Sequence, residues 1–332
     1  MKESIAWIWF HELKGLTLSE KKQMLELYES PAQIYNVAKE KFADKNINLS
    51  LTHAEEIYEK NLQYNIKIFT LVDAMLAGFD TSNKLWPLVI YYIGRPPTNH
   101  SVALVGTRDL SAMGYYFVHE ILDKLKSDNY SVYSGFASGV EKVAIDGALR
   151  NDISAMAVLT HGLDRCYPRY KWRLMEQLAQ QGSLISPYSV ETEPNKYSFA
   201  VRNQLLTLMT RQTILVEASL TSNALSIARL AHEMGKPVYT IKGPHKSLRC
   251  SGNNELLKGK IAQPIDVRLK QETNLYFQHK IAQRLKIEPM RFDEIMATFS
   301  SEFGDVTNLM LMLEHNRIVS LSSSGKWVYN GW

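Results

Sequence analysis

The sequence predicts an α/β chain: a doubly wound, mostly parallel sheet set between a helical front segment and a tail of helices closed by a hairpin. Three observations predict it. From Ser101 onward, short apolar runs alternate with amphipathic stretches of helical length, the pattern of a parallel sheet covered on both faces. Residues 102–108, Val-Ala-Leu-Val-Gly-Thr-Arg, are an apolar run that stops at a glycine, a hydroxyl and a guanidinium, as a buried strand does when it empties into an anion-binding turn. Before and after this region the apolar spacing is mostly helical.

The front segment reaches about Arg95. Ser19–Glu29 has a hydroxyl start and helical apolar spacing, and Thr52–Leu62 opens with Thr52 and Glu55 in the arrangement of a capping box. Ile66–Leu71 reads as a short strand or strand-like linker, and Pro96-Pro97-Thr98-Asn99 closes the segment. The predicted strands of the middle region are Val102–Val105, Tyr130–Tyr133, Ser154–Leu159, Ser183–Ile185, Thr213–Val216 and Pro237–Ile241. Helices are expected near 113–126, 139–150, 171–181, 200–209 and 223–234. The tail predicts helices over Leu269–Leu285, Arg291–Thr298 and Asp305–Glu314. Strands Ile318–Leu321 and Lys326–Tyr329 follow around a Ser-Ser-Ser-Gly turn, a winged-helix-like order. The expected domains are therefore 1–95, 96–265 and 266–332.

Composition narrows the function classes. Of 332 residues, 45% are hydrophobic and 22% charged, values that exclude wholesale disorder. No apolar stretch is long enough to span a bilayer, and an N-terminus carrying Glu3, His11 and Glu12 does not read as a signal peptide. Cys166 and Cys250 fit no zinc or redox spacing, so a reducing, cytoplasmic setting is expected. The net charge of +4 is mild, but Ser101–Ile265 holds 19 Lys+Arg against 14 Asp+Glu, so the excess lies in the middle.

In a doubly wound sheet, ligands bind at the carboxyl ends of strands near the switch in strand order. Gly106-Thr107-Arg108, Ser134-Gly135, Gly162-Leu163-Asp164 and Glu217-Ala218 all fall there. Gly106 lets the chain turn, Thr107 offers a hydroxyl and Arg108 a planar fork matched to phosphate, with the positive end of the next helix behind them. Arg165, Arg169, Lys171 and Arg173 interleave with Tyr167, Tyr170 and Trp172. Cations among aromatics suit a single-stranded nucleic acid; a solvated helix start with Trp172 turned inward would look the same.

Several separated motifs together resemble one family, DprA, also called Smf, the DNA-processing proteins of natural transformation. Val102–Arg108 resembles its first strand and glycine-hydroxyl-arginine turn, and Ser134–Val140 its second strand-to-helix loop, with Gly147-Ala148-Leu149 closing that helix. Gly162-Leu163-Asp164 with Tyr167-Pro168, Phe199–Asn203, Val216-Glu217-Ala218 and Gly252–Leu257 are similar to later family elements, in order over roughly Ile66–Lys260. Departures mark a divergent member: Ser138, Glu141 and Ile145 stand where the family usually has Arg, Asp and His, and Ala200 replaces a proline.

The resemblance implies a Rossmann-like domain that binds single-stranded DNA in a positive pocket, forms a homodimer and helps load a RecA-type recombinase. It implies binding without turnover, with no catalytic residue, metal or cofactor and no membrane partner. Carried over, Arg108 would clamp a phosphate with the Gly106 and Thr107 amides, Ser134 and Gly135 would line the pocket, and Arg169 would take a neighbouring phosphate. Arg202 and Asn203 would close the site, and Lys171 joins them on charge alone. The rival class is a nucleotide sensor or nucleotide N-glycosidase on a related fold; Ala218–Ser222 lacks the glycines expected of one. Glu217 reads as a structural carboxylate that bonds a neighbouring loop. Asp164 reads as a loop anchor and Cys166 as a packing residue.

Overall fold

The computed structural model describes residues 1–42, 47–243, 247–265, 281–299, 306, 310, 313–314 and 318–330. Four helices open the chain: α1 (Glu3–Glu12), α2 (Leu18–Tyr28), α3 (Pro31–Lys41) and α4 (Thr52–Gln63). The expected capping box at Thr52 does not form. Leu51 occupies the cap position, and the Thr52 hydroxyl lies 2.8 Å from the Ser50 hydroxyl. The reciprocal arrangement occurs instead at Thr17 with Glu20, before α2, and at Thr70 with Asp73, before the short helix α5 (Leu71–Leu76).

The centre is a nine-stranded sheet. Its strands are β1 (Lys67–Thr70), β2 (Val89–Gly94), β3 (Ser101–Val105), β4 (Ser131–Ser134), β5 (Ala155–Val158), β6 (Ser183–Ser186), β7 (Gln212–Leu215), β8 (Val238–Thr240) and β9 (Gln263–Pro264). They lie in the order β1-β2-β6-β5-β4-β3-β7-β8-β9. The chain winds outward from β3 through β4 and β5 to β6, then crosses back to place β7, β8 and β9 on the other side. All those pairings are parallel, so the fold is the doubly wound, Rossmann-like one the sequence predicts, with its switch between β3 and β7. The predicted front segment contributes more than a linker: β2 joins the sheet antiparallel to β6, and β1 pairs antiparallel with β2 at the edge.

The strands divide their side chains by the period of two. Val102 and Leu104 of β3, with Val132 and Ala155, face one core, and Ala103, Val105, Tyr133 and Met156 face the other. Helices α6 (Ala112–Ser127), α7 (Val140–Arg150) and α8 (Trp172–Gln181) cover the first face. Helices α9 (Ser198–Met209), α10 (Ala224–Glu233) and α11 (Ser251–Lys258) cover the second. Each fully buried Leu or Val contributes about 1.5–3 kcal/mol, and truncating Leu104 to Ala would cost about 2–5 kcal/mol.

Two polar clamps hold the second layer. The Lys236 ammonium donates to the carbonyls of Thr207, Leu208 and Thr210 at 2.7, 2.8 and 2.7 Å, closing the C-terminus of α9. The fully buried Asn253 accepts from the Ala218 amide at 2.8 Å and donates to the Val216 carbonyl and the Thr240 hydroxyl, both at 2.7 Å. One side chain thereby ties the ends of β7 and β8 to α11.

The tail has its own core around Ile281, Leu285, Ile295, Phe299 and Val319. Residues 281–287 are helical, α12 (Phe292–Phe299) follows, and β10 (Val319–Leu321) pairs antiparallel with β11 (Trp327–Tyr329). The described parts of the tail follow the predicted order. The first part of the expected Leu269–Leu285 helix, and most of Asp305–Glu314, lie outside the described residues.

Candidate nucleic-acid interface

The carboxyl ends of β3, β4, β5 and β7 open onto two adjoining cavities. One, of about 230 Å³, is lined by Phe136, Tyr167, Tyr170 and Phe199 together with Arg108 and Lys171. The other, of about 470 Å³, lies at the switch between β3 and β7 and is lined by Gly106, Thr107, Asn203, Ser222 and Lys196. Arg108 and Arg202 line both. The structure therefore brings together Gly106, Thr107, Arg108, Lys171, Arg202 and Asn203 from three separate stretches of chain. Their environments differ sharply.

Arg108 is exposed and has no ion-pair partner among the described residues. Its neighbour Asp109 does not orient it; Asp109 pairs with Arg249 at 2.8 Å, while Arg249 also donates to the Asp109 carbonyl at 2.7 Å. The turn that carries Arg108 is fixed by its backbone. The Thr107 amide donates to the Glu217 carbonyl at 2.6 Å, and the Val140 amide donates to the Thr107 carbonyl at 3.1 Å. This corrects the expected role of Thr107: its amide is committed to the Glu217 carbonyl just past β7 and cannot hold a phosphate. Gly139, at φ +70°, lets the two loops touch, since a Cβ there would lie 2.2 Å from the Thr107 carbonyl.

The positive end of α6 is likewise occupied. Ser111 caps it, and the buried Glu217 carboxylate accepts from the Ser111 amide at 3.0 Å and from its hydroxyl. A carboxylate of the protein sits where the sequence expected helix amides to face an anion. The structural reading of Glu217 holds.

Ser134 and Gly135 lie beneath the cavities rather than along them. Ser134 is fully buried, and its hydroxyl donates to the Leu104 carbonyl at 2.6 Å, fastening β4 to β3. Gly135 makes room: a Cβ there would fall 1.7 Å from an Arg202 nitrogen and 2.4 Å from the Glu141 carboxylate. Neither residue can touch a phosphate.

Arg202 is 5% exposed and pairs with the equally buried Glu141 at 3.0 Å. The other Glu141 oxygen accepts from the Ala137 amide at 2.7 Å. The pair binds α9 to the loop that opens α7. The expectation that Arg202 supplies a free cation is corrected to that of a positioning residue whose Nε remains without a partner. Lys171 is buried as well. Its ammonium donates to the Phe136 carbonyl at 2.5 Å and lies 5.2 Å from the centre of that ring. Burial pushes its pKa down to about 8, against the raising influence of Glu141. Asn203 is half-buried and donates to the Ser226 hydroxyl at 3.4 Å.

Arg169 sits between Pro168 and Tyr170, exposed, without an ion pair among the described residues and outside the cavity lining. It marks the rim. Beside it Tyr170 is 77% exposed, Tyr167 and Trp172 about half so, and none is turned into the core. Lys196 is a mouth cation that motif reading missed; it lies 4.8 Å from the ring centre of Tyr197, itself exposed. Its only signal in the sequence is proximity to Phe199–Asn203.

The remaining candidates are structural. Asp164 accepts from Arg165 at 3.0 Å and from the Glu191 amide at 2.9 Å, anchoring the loop. His161 is buried with Nδ1 2.9 Å from the Gly162 carbonyl, and burial lowers its pKa. Cys166 packs against the first core, its thiol pKa raised by burial. Among the described residues no helix is long and apolar enough to cross a membrane.

Comparison with known proteins adds an independent line. The family model described as DNA recombination-mediator protein A matches residues 78–275. The chain is 28% identical over 261 residues to Protein Smf of a Synechocystis strain, covering 72% of this chain and 64% of that one. It is 31% identical over 176 residues to Protein Smf of Escherichia coli, covering 52% and 47%. To DNA processing protein DprA of Streptococcus pneumoniae it is 30% identical over 159 residues, covering 47% and 56%. The chain thus spans about half to two-thirds of the length of the curated relatives it matches. The crystal structure of the Streptococcus pneumoniae DprA superposes with a TM-score of 0.64 at 24% identity, over 80% of this chain and 95% of that one, a likeness of fold.

Proposed function

This chain belongs to the DNA recombination-mediator protein A family, and from that premise we propose that it holds single-stranded DNA at the mouth of its sheet without cutting it. The observation that carries the reading is the pairing of two unneutralised, exposed guanidiniums, Arg108 and Arg169, with exposed aromatic rings at Tyr167 and Tyr170. Cations track a phosphate backbone, and flat rings stack on unpaired bases whatever their sequence. Lys196 at the mouth and the charge of the buried Lys171 add to the same field.

The strand is bound, not turned over. The two buried carboxylates by the mouth are both engaged, Glu217 with Ser111 at the cap of α6 and Glu141 with Arg202 and the Ala137 amide, which leaves neither free to act on a substrate. The family's role in recombination supports a further step in which the protein protects incoming DNA and passes it to a RecA-type recombinase. Self-association as a homodimer and a cytoplasmic setting belong to the same proposal. A nucleotide sensor is the second reading, favoured by the cavity at the switch between β3 and β7, where Gly106 faces Ser222 at the start of α10.

A gel-shift with oligo-dT and a duplex of equal length, at two salt concentrations, tests the reading. The single strand should bind more tightly, with affinity falling steeply as salt rises because condensed counterions are released. Equal or tighter binding of the duplex, or binding indifferent to salt, would contradict it.

A further inference from the structure

A second trough leads away from the mouth between α7 and α8. Lys142, Asp146 and Arg150 recur every four residues along α7, and Arg173, Gln177 and Gln181 do the same along α8, so two polar rows face each other across one groove of about 330 Å³. Arg150 and Arg173 are exposed and have no ion-pair partner among the described residues. The one acid in the lining, Asp146, is paired with Lys142. The groove is therefore net cationic. Glu176 of α8 does not line it.

The trough is continuous with the mouth. Tyr170 and Lys171 line both this groove and the aromatic cavity. The exposed Tyr170 ring stands at the junction, its hydroxyl 3.3 Å from that of Ser138. On the opposite flank of α7 the cavity toward α6 shares Lys142, Asp146 and Arg150 and adds Arg108, but it also holds Asp109 and lacks Lys171 and Arg173, so it is the less cationic of the two.

We propose that the α7–α8 trough is the exit path of the bound single strand. Arg150 and Arg173 take the phosphates of nucleotides beyond those in the mouth, and Tyr170 stacks on the base at the bend. The proposal rests on the single-strand reading of the mouth and assigns a second, length-dependent segment of the binding site.

The experiment compares oligo-dT of about 5 and about 15 nucleotides, spanning the usual site sizes for single-strand binding. The proteins are the full chain and its Arg150→Glu/Arg173→Glu variant, with thermal melting as the folding control. Both residues are exposed and unpaired, so the variant should melt like the parent. The long oligonucleotide should lose about tenfold or more in affinity, with a salt slope shallower by about 1.4 for two lost phosphate contacts, while the short one changes less than about twofold. Equal losses on both lengths, or no loss on the long one, would overturn the exit path while leaving the mouth intact. If neither oligonucleotide binds the parent protein, the single-strand reading falls and the path with it. Should the double variant melt early, Arg150→Gln/Arg173→Gln replaces it with the same expectation at smaller amplitude.

Discussion

The Arg202 guanidinium meets the Glu141 carboxylate at 3.0 Å in the space that Gly135 leaves open, and that same guanidinium forms part of the cavity wall. The cation expected to grip DNA is instead the strut that sets the loop beside Arg108. A buried pair of this kind is hard to break from one side only. Arg202→Ala should destabilise the protein by about 3–5 kcal/mol, since Glu141 would be left charged and buried alone. Urea unfolding measures it, and a loss below about 1 kcal/mol would show that the pair is not a strut. Replacing both partners with apolar residues of similar volume should cost far less than either single change.

Gly135→Ala tests the same geometry from the other side. The added methyl would overlap the Arg202 and Glu141 side chains, so the pair must shift or separate. The expected cost is about 1–3 kcal/mol, as for overpacking elsewhere. A neutral effect would mean that the loop has slack the structure does not show.

Three lysines give stability a defined pH trend. Burial lowers Lys21, Lys171 and Lys236 to about 8 from the ordinary 10.5. Below pH 8 both states are protonated and these groups add no slope. Between about 8 and 10.5 the unfolded chain binds more protons than the folded one, so their contribution to stability rises with pH. Each group retains solvent contact, which keeps the effect modest. Denaturant midpoints on either side of pH 8 should increase, and Lys236→Met should flatten the rise; an unchanged slope in that variant would contradict the assignment.

Glu217 separates binding from catalysis. Glu217→Gln should cost on the order of 1 kcal/mol through the weakened cap on α6, with little effect on oligo-dT affinity. Incubated with mononucleotides, the parent protein should release no free base, and mononucleotides should compete poorly with oligo-dT. Base release that Glu217→Gln abolishes would favour the glycosidase reading.

The parallel sheet was legible because β3 through β6 are buried along their whole length, leaving uninterrupted apolar runs such as Val102–Val105. The antiparallel join of β2 to β6 was not, since Tyr92 meets Ile185 across a long separation that no local pattern encodes. The turn Gly106-Thr107-Arg108 was read at the right place, and Arg108 is where the sequence put it. What failed was the state of its neighbours. Charge and spacing cannot reveal that Lys171 lies under a ring, that Glu141 claims Arg202 from 61 residues away, or that Glu217 fills the end of α6. Each depends on a partner brought in by the fold. Ser134 followed the same rule, because the last residue of a central strand bonds its neighbouring strand before it reaches solvent.

The most direct test of the account is oligo-dT affinity, by fluorescence anisotropy at fixed salt, for the Arg108→Glu/Arg169→Glu variant. Neither residue has an ion pair among the described residues, so melting should stay close to the parent's while affinity drops by at least about tenfold and the salt slope becomes shallower. Affinity that survives both reversals would mean the sheet mouth is not where the strand is held.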